Sequence, residues 1–219
     1  MNPLILTKSF PVIDYKEALN IQLEHHRLCV EGVYNAVFLA LEHPPTITLG
    51  KHASKEDLLL PESSLLKKGI DLYSSDRGGQ VTCHMPGQLV VYSIVSLAYF
   101  SLGVREYVSI LEDSLLDLLR DYGVKGDLSQ NNPGVWVLGK KIASIGVRVK
   151  GRVTYHGIAL NVTNTLEIFK MVVPCGMKGC EMVRLKDLTE NSLERVLLEK
   201  RFIAHLSGHL LSRCQKKVG

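Results

Sequence analysis

The most regular alternation of apolar and polar positions lies between residues 104 and 122. Apolar residues recur there at intervals of three and four, which is the spacing of one helix face, and Gly123 stands where a C-terminal cap is usual. A second helix is predicted after Asp14, a typical N-cap residue, and a third begins near Ser192. A shorter helix is expected around residues 166–171.

Strand-like segments occupy most of the remaining chain. A continuous apolar run at residues 34–42, ended by His-Pro-Pro, predicts a strand buried on both faces. Further strands are expected at residues 46–51, 70–73, 80–83 and 88–95, and three more between residues 134 and 162 with turns near Gly139 and Gly151. Because strands follow at hairpin lengths and helices gather at the start, middle and end, the pattern predicts an α+β fold with mixed, largely antiparallel sheets and flanking helices.

Composition excludes several classes of protein. A hydrophobic content of 46% in 219 residues suits one folded domain over residues 1–219, and 26 Lys and Arg against 22 Asp and Glu leave a dispersed charge of +4 that does not indicate nucleic acid. The apolar stretch at residues 89–104 is shorter than the roughly 20 residues that span a bilayer. The first residues do not resemble a signal peptide, so we expect a cytoplasmic protein without a membrane partner.

Five cysteines, an odd number, argue against a disulfide framework, and neither C-x-x-C nor H-E-x-x-H occurs, so no metal is expected. Cys175 lies between Pro174 and Gly176, which predicts a defined bend that could present a nucleophile to a pocket. The alternative is a small buried apolar side chain, the usual role of a free cysteine. Cys180 follows at a spacing that does not match a redox C-x-x-C pair, and we expect it to be inactive.

Three segments carry glycine inside predicted strands, at residues 77–89, 139–149 and 154–162. Glycine in a strand interior sacrifices packing, so it indicates close approach of the backbone to another strand or to a ligand. Bulges at sheet corners are the alternative explanation for each segment taken alone.

Five blocks resemble, in order and spacing, the lipoyl(octanoyl) transferases of lipoate biosynthesis: "LEHPPTITLGKHA", "RGGQVTCHMPGQLVVYSI", "GVWV" with "KKIASIGVRV", "HGIALNV" and "VPCG". The resemblance runs from about residue 10 to about residue 190. It implies the fold of the lipoate and biotin protein ligases. It also implies octanoyl transfer, without a cofactor, from octanoyl-acyl carrier protein to a lysine of a lipoyl domain in 2-oxoacid dehydrogenase complexes or of glycine cleavage H protein.

The same resemblance implies a catalytic pair formed by Cys175 and Lys141. Cys175 would carry the acyl group as a thioester, and Lys141 would stabilise the thiolate and transfer protons. Adjacent side chains on a strand point to opposite faces, so only one of Lys140 and Lys141 can face the pocket. The motif assigns that position to Lys141.

The glycine-rich blocks would line the acyl pocket and supply backbone N–H groups to the thioester oxygen. Burial of eight carbons at about 0.8 kcal/mol per methylene would contribute roughly 5 kcal/mol of binding. His84 and His156 would either orient the site or serve as ordinary strand histidines. The implied substrate-binding residues are Arg77, Gly78, Gly79, Gln80, Val81, Thr82, Cys83, His84, Ser144, Ile145, Gly146, Gly157, Ile158 and Ala159.

Three positions depart from the family pattern: Cys83 replaces an aromatic residue, Met85 a glycine and Ser93 a proline. We expect Met85 to reshape the pocket mouth and to affect chain-length preference. Two alternatives remain at this level, a transferase that moves octanoyl or lipoyl groups between lipoyl domains and a non-catalytic acyl or lipoyl-domain binding protein. A monomer is expected.

Overall fold

The computed structural model describes residues 3–129, 132–177 and 179–215. Five α-helices occur in this part of the chain: α1 (Tyr15–Val30), α2 (Glu62–Lys67), α3 (Leu97–Phe100), α4 (Val104–Asp121) and α5 (Arg195–Gln215). The strands are β1 (Ile5–Val12), β2 (Ala36–Glu42), β3 (Thr46–Leu49), β4 (Asp71–Ser74), β5 (Val81–His84), β6 (Gln88–Val95), β7 (Asp127–Leu128), β8 (Gly134–Val137), β9 (Lys140–Lys150) and β10 (Val153–Asn161).

The strands form two sheets. The large sheet has seven strands in the order β1-β2-β6-β10-β9-β8-β7, with a parallel β1–β2 pair and antiparallel pairs elsewhere. The small sheet has the order β4-β3-β5, with β3 parallel to β4 and antiparallel to β5. The predicted α+β class with mixed, largely antiparallel sheets is therefore confirmed.

Helices cover both faces of the large sheet. Helices α4 and α5 pack on one face, where Tyr107, Leu111 and Leu115 of α4 join the largest apolar cluster with Phe202 of α5. Helix α1 contributes Ala18 and Cys29 to a second cluster on the opposite face. A third apolar cluster lies against the small sheet and includes residues of the 3-10 helix Glu167–Met171.

Local sequence explains several element ends. The Asp14 carboxylate accepts hydrogen bonds from the Lys16 and Glu17 amides at 2.7 and 3.1 Å, which caps α1. Leu138 and Gly139, with φ of 51° and 77°, form the β8–β9 turn in the left-handed region that two-residue hairpins require.

Other features differ from the predicted pattern. Strand β1 is half-exposed and irregular in its apolar spacing, so its sequence gave no clear strand pattern. The helix expected near residues 166–171 is a 3-10 helix, and α5 extends well beyond the predicted segment. None of the helices in the described ranges is both long enough and apolar enough to cross a membrane.

Candidate active site

A cavity of about 540 Å³ opens where the small sheet meets strands β6, β9 and β10 of the large sheet. Helix α4 contributes Val104 and Val108 to its wall, and the segment before β8 contributes Asn132 and Pro133. Most of the lining surface is apolar, which suits a hydrocarbon chain. The residues predicted to bind substrate that line this cavity are Arg77, Gly78, Gly79, Gln80, Val81, Thr82, His84, Ser144, Ile145, Gly146, Gly157, Ile158 and Ala159.

Cys83 is the exception among the predicted pocket residues. Its neighbours Thr82 and His84 line the cavity, whereas Cys83 lies on the other side of β5 in the apolar cluster beneath the small sheet. Its Sγ donates to the Ile168 carbonyl at 3.8 Å. The alternation of side chains along a strand explains the error in assigning Cys83 to the pocket.

The expectation that Met85 shapes the pocket mouth is wrong. Met85 is 2% exposed and packs in the cluster beneath the small sheet, away from the cavity wall. Its Sδ accepts from Asn164 Nδ2 at 3.2 Å. The side chain therefore fills the interior next to the turn that joins β5 and β6.

Ser93, the third departure from the family pattern, is also buried away from the cavity. Its Oγ accepts from the Tyr107 hydroxyl at 2.5 Å, which ties β6 to helix α4. Burial raises the pKa of Tyr107 to about 12, so this phenol stays neutral and can donate.

The strand glycines allow close approach of backbone segments. A side chain at Gly157 would place its Cβ 2.1 Å from the Val91 carbonyl oxygen, and one at Gly146 would lie 2.9 Å from the Gly78 carbonyl oxygen. The Gly78 amide donates to the Val147 carbonyl at 2.9 Å, which fixes the loop before β5 to strand β9. The Gly78 amide is therefore already paired with strand β9 and is not available as an oxyanion donor.

Lys141 lines the cavity and is 1% exposed. Its Nζ donates to Asn132 Oδ1 at 2.7 Å and to the Pro133 carbonyl at 3.1 Å, and it lies 5.3 Å from the centre of the Trp136 ring. Lys140, by contrast, is on the surface and pairs with Glu181 at 2.6 Å. A buried ammonium on the wall of an apolar cavity can donate a proton or stabilise an anion there.

The turn that carries Cys175 is the short 3-10 helix Pro174–Gly176, as expected for Cys between Pro and Gly. The side chain of Cys175 lies outside the described part of the structure. Gly176, with φ of 65°, is pressed against the cavity residue Gln80, whose side chain lies 2.2 Å from the position of an added Cβ. The turn therefore borders the cavity.

The segment after this turn is joined to Lys141 through its backbone. The Lys141 amide donates to the Glu181 carbonyl at 2.8 Å, and the Val183 amide donates to the Lys141 carbonyl at 3.0 Å. Cys180 is half-exposed, and its Sγ lies 3.9 Å from the Glu181 carbonyl oxygen.

At the β10 side of the cavity, His156 has a left-handed backbone with φ of 61°. This conformation breaks the alternation of the strand, so that Tyr155 and His156 both reach the Asp76 carboxylate. The His156 Nε2 lies 2.9 Å from Asp76 Oδ1, and its backbone amide donates to Gln22 Oε1 at 2.8 Å. Burial lowers the pKa of His156 in spite of Asp76, so the ring is mainly neutral.

His84 and Tyr92 form another part of the wall. Burial lowers the pKa of His84 far below its usual range, and Gln88 Oε1 lies 2.9 Å from its Nδ1. The Tyr92 hydroxyl lies 2.7 Å from His43 Nε2, and burial lowers the pKa of His43 to about 4. These imidazoles are neutral at pH 7 and are fixed by hydrogen bonds, which favours a positioning role.

Arg77 is the predicted pocket residue with the most polar contacts. Its guanidinium donates to the Thr48 carbonyl at 2.8 Å and to the Thr48 hydroxyl at 2.9 Å, and it holds the Gly78 carbonyl at 3.1 Å. The side chain thus fixes the glycine loop to strand β3 while it lines the cavity.

Sequence reasoning did not identify Asn132, Tyr15 and Tyr92 as cavity residues or Asp76 as the partner of His156. Asp76 directly precedes the Arg-Gly-Gly block, so its position was the one available indication. Among the described residues, no cluster of three or more His, Cys, Asp or Glu side chains has a geometry that could bind a metal ion.

Comparison with known proteins gives a consistent family. The model of the lipoyl protein ligase A/B catalytic domain matches residues 14–207. The chain is 38% identical over 195 residues to an octanoyltransferase of Alkaliphilus metalliredigens, covering 89% of each protein. It is 40% identical over 195 residues to an octanoyltransferase of Syntrophobacter fumaroxidans, covering 89% of this chain and 86% of that protein.

Solved structures agree in fold. A bipartite lipoate protein ligase from Thermoplasma acidophilum superposes with a TM-score of 0.76 at 16% identity, covering 96% of this chain and 84% of that one. A lipoate-protein ligase A bound with ATP superposes with a TM-score of 0.74 at 15% identity, covering 96% of this chain and 86% of that one. The biotin protein ligase of Aquifex aeolicus with biotin and ATP superposes with a TM-score of 0.57 at 15% identity, covering 94% of this chain and 70% of that one. At these identities the likeness concerns the fold alone.

Proposed function

Because the chain belongs to the octanoyltransferases of the lipoyl protein ligase A/B catalytic family, we propose that it moves an octanoyl group from octanoyl-acyl carrier protein to a lysine of a lipoyl domain. The protein is an acyltransferase that transfers octanoyl groups in lipoate biosynthesis. The proposal concerns its donor, its acceptor and the residues that carry the reaction. The whole chain, residues 1–219, serves as one catalytic domain.

The first half-reaction forms an acyl-enzyme. The Cys175 thiolate attacks the thioester carbonyl of the donor, and the tetrahedral intermediate expels the pantetheine sulfur. The Lys141 ammonium gives its proton to this sulfur, which leaves as a thiol. The products are octanoyl-Cys175, free carrier protein and a neutral Lys141 amine.

The second half-reaction forms the amide. The acceptor lysine enters as a neutral amine and attacks the octanoyl-Cys175 carbonyl. Lys141 takes the proton that the attacking nitrogen loses, and Cys175 leaves as a thiolate, so that the starting ion pair is restored. The donor thioester supplies the activation, so the proposal needs neither a nucleotide nor another cofactor.

The observation that carries the proposal is the buried Lys141 ammonium on the wall of an apolar cavity that the Cys175 turn borders. A cation at this place favours a nearby thiolate over a thiol. The remaining wall suits the donor's hydrocarbon chain. A nucleophilic cysteine must also stay reduced, so we place the reaction in the cytoplasm.

The acceptors in this proposal are the lipoyl domains of 2-oxoacid dehydrogenase complexes or glycine cleavage H protein. The test supplies octanoyl-acyl carrier protein together with each of these acceptors and follows acceptor mass. Addition of one octanoyl group to the acceptor lysine is expected.

Two other results would contradict the proposal. Transfer that starts only from an octanoylated lipoyl domain, and never from the carrier protein, would indicate an amidotransferase between lipoyl domains. Binding of the donor without any transfer would indicate a non-catalytic acyl-binding protein.

A further inference from the structure

Asn132 and Pro133, directly before strand β8, form a cradle around the ammonium of Lys141. Its Nζ donates to Asn132 Oδ1 at 2.7 Å and to the Pro133 carbonyl at 3.1 Å. Both acceptors are uncharged amide oxygens. Asn132 and Lys141 both line the cavity.

The cradle is fixed to the rest of the fold at Gly134. The Gly134 amide donates to Glu112 Oε1 of helix α4 at 3.1 Å. A Cβ at this glycine would lie 2.4 Å from the Ala143 carbonyl oxygen and 2.8 Å from Lys141 Cε. The backbone therefore passes so close to the lysine stem that only glycine fits, and Asn132 is held at a defined distance from Nζ.

The second amide atom of Asn132 reaches the segment that carries the proposed nucleophile. Its Nδ2 lies 3.5 Å from Met177 Sδ, two residues beyond Cys175. One side chain thus contacts the proposed proton-transfer group through its oxygen and the loop of the proposed nucleophile through its nitrogen.

We propose that Asn132 is a positioning residue that holds Lys141 through both of its protonation states. The inference rests on the proposed function, in which Lys141 alternates between ammonium and amine. An uncharged acceptor at 2.7 Å can accept an N–H from either form. It orients the nitrogen without giving the charged form the strong preference that a carboxylate would give.

The proton balance shows why a neutral acceptor suits this position. After the ammonium gives one proton to the leaving sulfur, two N–H bonds and one lone pair remain on Nζ. One N–H stays on Asn132 Oδ1, which leaves the lone pair available for the proton of the incoming amine. A carboxylate would oppose the release of the first proton.

Other charged groups also surround Lys141. Glu112 of α4 accepts a hydrogen bond from the Gly134 amide, and burial raises its pKa although this hydrogen bond and Lys141 act in the opposite direction. Lys140 and Glu181 form an exposed ion pair beside the strand. In the proposed reaction, the Cys175 thiolate adds a negative charge. None of these groups changes in the substitution described next.

The test is Asn132→Asp, which keeps the shape of the side chain and adds a negative charge. Acylation by octanoyl-acyl carrier protein and transfer from purified acyl-enzyme to a lipoyl domain are measured as separate single-turnover rates between about pH 6 and about pH 10. The half-maximal pH of transfer should rise by about one unit or more, because an opposite charge at this distance favours the ammonium. Acylation near neutral pH should also be slower than in the parent, because the added carboxylate opposes release of the Lys141 proton to the leaving sulfur.

Asn132→Ala and Asn191→Asp complete the set. The alanine variant removes the acceptor and should slow both half-reactions by about tenfold. This loss is smaller than the effect of removing a positioned acid–base group, because Lys141 itself is still present. Asn191 is exposed and does not line the cavity, so Asn191→Asp controls for added charge and should retain the parent profile. Thermal unfolding of all three variants establishes that they fold.

Two results would overturn the inference. A transfer profile of Asn132→Asp that superposes on the parent, together with parent rates in a folded Asn132→Ala, would refute the role of Asn132 and leave the proposed function intact. Failure of the parent enzyme to form any acyl-enzyme would refute the proposed function, and the role of Asn132 with it.

Discussion

Replacing Lys141 and Lys140 in turn by methionine separates two adjacent lysines with opposite environments. Lys141 is 1% exposed and donates to Asn132 and Pro133 in the cavity wall. Lys140 is about half exposed and pairs with an exposed Glu181. Methionine preserves most of the volume of both stems, so the comparison isolates the ammonium group.

The two substitutions should differ in their effects on stability and on the rate of transfer. Lys141→Met leaves two acceptors without their donor, at about 1–3 kcal/mol each, but also removes the desolvation cost of a buried charge, so stability should change by less than about 3 kcal/mol. Loss of a positioned acid–base group should slow transfer by about 10² to 10⁴-fold. Lys140→Met loses a surface ion pair worth about 0–1 kcal/mol and should keep the rate within about twofold.

The assay measures single-turnover octanoyl transfer from the carrier protein to a lipoyl domain, alongside urea unfolding of each variant. A folded Lys141→Met enzyme with at least about a hundredfold loss, beside an active Lys140→Met enzyme, is the expected result. Equal losses in the two variants would refute the assignment of Lys141 as the proton-transfer group.

Three further outcomes follow from the buried contacts around the cavity. Met85→Ala should lower the free energy of unfolding by about 2–5 kcal/mol while the relative rates with six-, eight- and ten-carbon donors stay the same; an altered ratio would contradict the interior position of Met85. Burial opposes ionisation of Asp76, but hydrogen bonds from Tyr155 and His156 lower its pKa overall. The ionised Asp76 carboxylate therefore stabilises the fold above about pH 4, and this stabilisation is lost as pH falls further. The unfolding free energies of the parent and Asp76→Asn should therefore converge as pH falls from about 7 to about 3, and a constant gap would argue against this linkage. Cys180→Ser should keep the parent rate under reducing conditions and the parent's sensitivity to mild oxidant; a large loss in the folded, reduced variant would show that Cys180 takes part.

Periodicity and turn chemistry were sufficient to predict most of the elements. Helix α4 has an uninterrupted apolar stripe, and β8 to β10 are separated by turns whose glycines adopt positive φ. Strand β1 carries Lys8 and Pro11 and is buried only in part, so its alternation is weak. The parallel pairing of β3 with β4 depends on long-range packing and has no local pattern in the sequence.

The part of the cavity wall that the glycine blocks form could be predicted, because glycine within a strand indicates close approach of the backbone to another segment or a ligand. The place of Cys83 could have been deduced, because alternation along β5 puts it opposite Thr82 and His84. Met85 could not be placed in this way, since a residue in a turn has no fixed face. The cradle at Asn132 arises from contacts between segments that are distant in the sequence, so no sequence motif predicts it.

The most direct test of the account is to locate the acyl group on the enzyme. The parent protein is incubated with octanoyl-acyl carrier protein without an acceptor, and intact mass and peptide mapping follow the octanoyl group. The account predicts one octanoyl group on Cys175 that hydroxylamine removes and that a lipoyl domain accepts, with none on Cys175→Ala. An octanoyl group on another residue, or full transfer activity in the folded Cys175→Ala variant, would contradict it.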